Sequence, residues 1–181
     1  MSYNTQSSCY KYFVGIDLSY SCTGIVTSQD IHIGVKAGKP SDSFYSRVSG
    51  LWRTLLSTLP MPAEDTLVAI EGAAFGKPFQ AFHLGELAGV IKYLLAVNRY
   101  TVILVPPTTL KKFATGKGNA TKEEMNLINR WEYHNSNDNI VDAFCLMKYA
   151  ESYLPEDKVE VKKKARLRRP QKTAPVSDVL I

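Results

Sequence analysis

The sequence predicts a mixed α/β domain: a five-stranded sheet with strands 1–3 antiparallel and strands 4–5 parallel, flanked by helices. Three observations carry this reading. Short apolar runs bounded by turn residues open the chain, as a strand hairpin does. Two later apolar runs, residues 66–70 and 101–105, are separated by a long stretch at helical spacing, so they run parallel through a helical crossover. No apolar stretch reaches the roughly 18 uninterrupted residues of a membrane span.

Taken in order, residues 12–26 form the opening hairpin. An apolar run ends in Asp17, turns through a Ser/Thr cluster, and becomes apolar again after Thr23-Gly24. Residues 30–35 alternate polar and apolar, which suits a half-exposed third strand. Residues 39–43 are turn-like and offer an N-cap. Phe44, Val48, Leu51, Trp52, Leu55, Leu56 and Leu59 then recur at helical spacing until Pro60 and Pro62 stop the element. The run at 66–70 is a buried-type strand ending in Glu71. After a loop at 72–78, residues 79–97 read as a helix in which Gly85 and Gly89 would allow close approach of a neighbouring backbone.

The fifth strand, 101–105, is stopped by Pro106-Pro107, and residues 109–113 suggest a short helix. Thr121-Lys122-Glu123-Glu124 resembles a capping box, opening a helix expected to reach about Tyr133. A polar linker at 134–137 precedes a last helix, roughly 138–153, with Asp138 as a good N-cap.

The chain has 181 residues and about 45% hydrophobic content, enough for one domain with a substantial core. The folded domain is expected over residues 1–154, with a basic tail over 155–181. Net charge is +5, which favours a polyanionic partner without identifying one. Eight of the basic residues lie between Lys158 and Lys172, with no aromatic among them. The first ten residues are polar and lack the apolar core of a secretory signal. Cys9, Cys22 and Cys145 show no metal or CxxC spacing, so reduced thiols in the cytoplasm are the expectation. His32, His83 and His134 are isolated and read as surface or satisfied core residues.

The chemistry rests on carboxylates. Two strands end in Asp17 and Glu71, and an anionic group there is costly unless paired or bound to a cation. A turn-capping role is the alternative for Asp17. Asp138 and Asp142 lie four positions apart, on one face if that segment is helical. Capping explains Asp138 well and Asp142 poorly. A cluster of Asp17, Glu71, Asp138 and Asp142 supplies hard oxygen ligands suited to Mg²⁺, with Mn²⁺ able to substitute. Two such ions, about 3.5–4 Å apart, activate a water and stabilise the leaving oxygen in phosphodiester hydrolysis.

Four blocks resemble the RuvC-like Holliday junction resolvases of the RNase H-like superfamily. They are Val14-Gly15-Ile16-Asp17 with Thr23-Gly24; Val68-Ala69-Ile70-Glu71; Pro106 to Glu124, around Thr115-Gly116-Lys117-Gly118-Asn119-Ala120-Thr121-Lys122; and Asp138 to Phe144. The third is the most discriminating, since the others position acids. The resemblance implies an RNase H-like fold and a homodimeric, Mg²⁺-dependent endonuclease making paired nicks in four-way DNA junctions. It implies metal-binding roles for Asp17, Glu71 and Asp142. The family's remaining ligand lies three residues before the final Asp, where this chain has Asn139; Asp138, one residue earlier, is the expected replacement.

The resemblance further implies lysines at the scissile phosphate, with Lys111 or Lys112, Lys117 and Lys122 as candidates and Lys117 as the catalytic one. Solvated surface charge is the competing reading for Lys111, Lys112 and Lys117. An aromatic three residues after the second acid stacks on a junction base in the family. Ala74 stands there, so Phe75 takes that expectation, with Lys77 as a neighbouring DNA contact; core packing is the alternative for Phe75. A small resolvase of this kind fits a bacteriophage source.

Other readings compete. One is a different RNase H-like nuclease acting on branched DNA or RNA; another is a catalytically impaired junction-binding protein, suggested by Asn139. The Asp17 hairpin also resembles the phosphate-binding hairpin of sugar kinases and ATPases, but those folds need two such domains and this chain is short by about half.

Overall fold

A computed structural model describes residues 10–72 and 78–153, with the side chains of 78–81 left out. The expectations for Phe75, Lys77 and the basic tail lie outside the described residues.

The sheet is built from β1 (Tyr12–Asp17), β2 (Thr23–Thr27), β3 (His32–Val35), β4 (Thr66–Glu71) and β5 (Thr101–Val105), in the order β3-β2-β1-β4-β5. The first three strands pair antiparallel. β4 runs parallel to both β1 and β5. The helices are α1 (Phe44–Thr58), α2 (Pro78–Val97), α3 (Pro107–Thr115), α4 (Lys122–Ile128) and α5 (Asp138–Ser152). No helix among the described residues is long and apolar enough to cross a membrane.

Period-two alternation divides the core between the two faces of the sheet. Val14 and Ile16 of β1, Ile25 of β2, and Val68 and Ile70 of β4 meet α1 and α2 through Leu51, Leu55, Leu87, Ile91 and Leu95. Val26, Leu67 and Ala69 face α5, with α3 and α4 completing that layer through Leu110, Ala114 and Met125. Both faces are covered, which is why the central strands read as near-continuous apolar runs.

Two helices, α3 and α4, differ in extent from the sequence reading by more than one residue at an end. α1 starts as expected, with the Ser43 hydroxyl accepting from the Ser46 amide. α3 is longer than residues 109–113, because Pro107 sits in the first turn, where a missing N–H costs nothing. α4 opens on the expected capping box, with Thr121 and Glu124 each accepting from the other's backbone amide. It then stops at Ile128 instead of about Tyr133. The cause is Asn129, buried at the helix end: its amide donates to the Met125 and Tyr133 carbonyls, and its side-chain oxygen accepts from the Trp131 and Tyr133 amides. One side chain thus satisfies a turn that would otherwise compete poorly with another helical turn.

The loop after α4 is part of the core. Tyr133 stacks on Phe144 of α5 with ring centres 4.0 Å apart, and Trp131 meets the same ring edge-on at 5.9 Å. The Tyr133 hydroxyl lies 2.8 Å from Nδ1 of His32, so β3 is tied to this layer as well.

Helix α5 lies unusually deep against the sheet. A Cβ at Gly15 would stand 1.9 Å from the Ala143 carbonyl oxygen, and one at Gly24 would stand 2.0 Å from that of Asn139. Only glycine at these two positions lets the helix backbone rest on β1 and β2. Gly85 and Gly89 behave differently. An added Cβ at either meets nothing within 4 Å, so their smallness serves no packing inside the described chain.

Candidate active site

Asp17 and Glu71 are the last residues of β1 and β4. Ile16 sits opposite Ile70 in the parallel ladder, so the two carboxyl groups leave neighbouring strands at the carboxyl edge of the sheet. That edge is where open α/β sheets bind ligands. Asp142 reaches the same place from the second turn of α5.

The charge of Asp142 bears on both of the other acids. Asp17 is 8% exposed, and its carboxyl is pushed well above the usual carboxylate range. Burial is the main cause, followed by the charges of Asp142 and Glu71, with Lys122 opposing. Glu71 is pushed up to about 7 by burial and by Asp142, against Lys111 and Lys122. Asp142 is pushed up to about 6, chiefly by burial, with Asp138 adding to the rise and Lys122 and Lys111 resisting it. Carboxylates raised together in this way are crowded anions lacking a full counter-charge.

The sequence reading places all four acids in one cluster; in the structure Asp17, Glu71 and Asp142 lie deeper, and Asp138 bears on Asp142 from outside. Asp138 stays at the rim with its side chain 47% exposed, and its Oδ2 lies 3.9 Å from Nζ of Lys122. It is also the first residue of α5 and not its cap: the Asn137 side chain accepts from the Asn139 amide and fills that role. Asn139 is engaged elsewhere, its side-chain amide donating to the Cys22 carbonyl. Among the described residues, no three acid, histidine or cysteine side chains close around one point as a ready metal cage. The donor chemistry nevertheless fits a hard divalent cation, being anionic, all-oxygen, and mutually repulsive until positive charge arrives.

The lysines separate as well. Lys111 on α3 and Lys122 on α4 are the ones whose charge bears on Glu71 and Asp142. Lys117, expected in the catalytic role, places its Nζ 3.2 Å from Glu124 Oε1. Lys112 lines a shallow hollow with Thr108, Phe113 and Tyr149.

Beside the site, the β1–β2 turn forms one wall of a cleft of about 860 Å³, with Tyr20, Phe44, Arg47, His83 and Glu86 among its lining. Arg47 donates to the Ala37 and Tyr20 carbonyls, and its guanidinium sits 4.4 Å from the Tyr20 ring centre. This arrangement anchors the turn that follows Asp17. Sequence reasoning passed over both this anchor and the Asn137–Asn139 pair. The signal for the second was present, since Asn-Asp-Asn before an apolar helix is capping chemistry.

Comparison with known proteins decides the family. The chain is 31% identical over 111 residues to the crossover junction endodeoxyribonuclease RuvC of Chlamydia abortus, covering 58% of this chain and 67% of that protein. The chain belongs to the RuvC family. The RuvC of Chlamydia caviae gives the same identity over the same length, covering 66% of that protein. The chain therefore spans about two thirds of the length of these curated relatives. No family model matches it. In structure, the fold is that of Thermus thermophilus RuvC, with a TM-score of 0.62 at 21% identity, covering 75% of this chain and 90% of that one. A second structure, T. thermophilus RuvC in complex with a Holliday junction substrate, gives 0.60 at 20% identity. In this chain the fold brings together the carboxyl ends of β1 and β4 and the start of α5, where the acids stand.

Proposed function

We propose that this chain is a structure-selective endodeoxyribonuclease that resolves four-way DNA junctions by paired, metal-dependent nicks. The observation that carries the reading is the group of Asp17, Glu71 and Asp142 at the carboxyl edge of a RuvC-family sheet, Asp17 buried and the other two half-buried, with the charge of Asp142 bearing on both of the others. Family membership supplies the substrate class.

Asp17, Glu71 and Asp142 would hold the cation, Mg²⁺ or Mn²⁺ in its place and two per site, with Asp138 at the rim. When bound, it supplies Lewis acidity and a reactive water for in-line attack on a phosphodiester. Hydrolysis would join a water oxygen to phosphorus and break the P–O3′ bond, leaving a 5′ phosphate and a 3′ hydroxyl that a ligase can reseal. The chain's own groups do the rest. Burial around Asp17 keeps bulk water from the reacting centre. Lys122 and Lys111 offset the negative charge that gathers as the phosphate approaches the acids. Lys112 and Lys117, between them in the same block, serve the DNA backbone. Outside the described residues, Phe75 would stack on a junction base, Lys77 would contact DNA, and the basic tail would bind phosphates. Two copies of the chain, one site each, account for paired nicks. The unpaired Cys22 and Cys145 suit the reducing cytoplasm, where such DNA is handled.

One experiment tests the reading. A labelled four-way junction and a linear duplex of the same sequence are incubated with the protein in Mg²⁺. The junction is cut at symmetric positions and the duplex is spared; equal cutting of both, or of neither, overturns the proposal. Asp17→Asn abolishes cutting while junction binding persists in a gel-shift assay. Branched DNA or RNA cut in preference to the junction would favour the broader nuclease reading, and binding without cutting the impaired one.

A further inference from the structure

We infer that Asn139 is a positioning residue that sets the distance between Asp142 and Asp17. The inference rests on the metal-site reading above for its last link.

Three contacts join the start of α5 to the start of β2. The Asn139 side-chain amide donates to the Cys22 carbonyl. The Asn137 side-chain amide donates to Cys22 Sγ at 3.0 Å. The Asn139 carbonyl lies over Gly24, so close that no Cβ fits between them. Asn137 also caps the helix through the Asn139 amide at 3.1 Å, so both asparagines belong to one connected set.

The ladder carries this clamp to the acids. Gly24 is the antiparallel partner of Asp17, so whatever is fixed against Gly24 is fixed against Asp17. Asp142 follows Asn139 by three residues and shares its side of the helix. A displacement of the first turn of α5 along β2 therefore changes the spacing between Asp142 and Asp17 directly. The chemistry of the contact matters too. The Cys22 carbonyl accepts only, so a carboxylate at 139 would face it without a proton to share. An amide is the side chain of this size that donates there.

Groups that orient a metal's ligands typically cost about 10–100-fold in metal affinity when removed. The test compares the full chain with Asn139→Leu, which keeps the size and loses the donor, and Asn139→Asp, which trades the donor for an anion. Mn²⁺ affinity is read by calorimetry well below the melting temperature, alongside metal-free melting and the cleavage rate at saturating junction. Both variants should bind Mn²⁺ about tenfold more weakly and melt lower without metal. Cleavage should fall in kcat with KM for the junction little changed. Mn²⁺ binding by either variant as tight as, or tighter than, that of the unaltered chain overturns the inference. If a variant fails to fold, the unaltered chain still decides. Its Asn139 side-chain amide protons should exchange slowly with and without Mg²⁺, and exchange at the rate of a free surface amide overturns the clamp. Asp17→Asn is the reference: if it binds Mn²⁺ like the unaltered chain, the metal-site reading fails, while melting and amide exchange still judge the clamp.

Discussion

Helices α5 and α2 lie on opposite faces of the same sheet, and each is associated with a pair of glycines used in opposite ways. Under α5 the glycines are on the strands, Gly15 and Gly24, and the helix backbone occupies the space their missing side chains leave. On α2 the glycines, Gly85 and Gly89, are on the helix itself and face open space. The same helix surface exposes Phe82, Tyr93 and Val97, each more than half accessible, while Leu87, Ile91 and Leu95 are buried against the sheet. α5 is thus held by backbone contact that tolerates no slack, and it carries Asp142. α2 is held by side-chain packing on one face only. Close backbone packing fixes position to a fraction of an ångström, whereas an apolar stripe fixes only which face points inward.

Substitutions at these glycines test the contrast. Gly24→Ala should be the most damaging, because its Cβ would fall 2.0 Å from a backbone oxygen that cannot rotate away. A loss of about 3 kcal/mol or more is expected, read by urea denaturation, with Gly15→Ala behaving alike. A smaller loss would show that α5 can lift from the sheet.

The next effect is a pH dependence confined to the α5 side. Folding raises the Glu71 carboxyl from an ordinary 4.5 to about 7 and the Asp142 carboxyl from 3.8 to about 6. Between those limits the folded chain keeps protons that the unfolded chain has lost, so metal-free stability falls as pH rises from about 4 to about 7. Melting curves across that range should show the decline. Saturating Mg²⁺ should flatten it, because the cation takes the place of the protons. Glu71→Gln should remove the upper part of the decline.

Gly89→Ala should give the smallest change and the opposite sign. In an exposed helix interior, alanine is favoured by about 0.5–1 kcal/mol. A melting temperature that rises and does not depend on protein concentration keeps this face solvent-exposed. A fall that deepens on dilution would mean that a second copy packs against it.

The sequence was most legible where one element decides its own fate. Asp17 and Glu71 could be placed at strand ends because each closes an apolar run, and Thr121 with Glu124 announced a helix start four residues long. Asp142 was legible because capping could not explain an acid one turn inside an apolar helix. The end of α4 was not, because Asn129 stops the helix only by reaching the Tyr133 carbonyl around a turn that must already exist. Nor was the ion pair that Lys117 makes with Glu124.

By itself, then, the sequence determined the order of strands and helices along the chain and, through its motif blocks, the family, since periodicity, turn residues and local capping are properties of neighbours along the chain. The tertiary structure alone decided that Asp138 stays at the rim beside Lys122, that Asn137 caps α5, and that Asn139 spends its amide on Cys22. Those outcomes depend on where α5 settles against β2. A one-residue choice of helix start turns a side chain by about 100°, and only the close fit over Gly15 and Gly24 makes that choice.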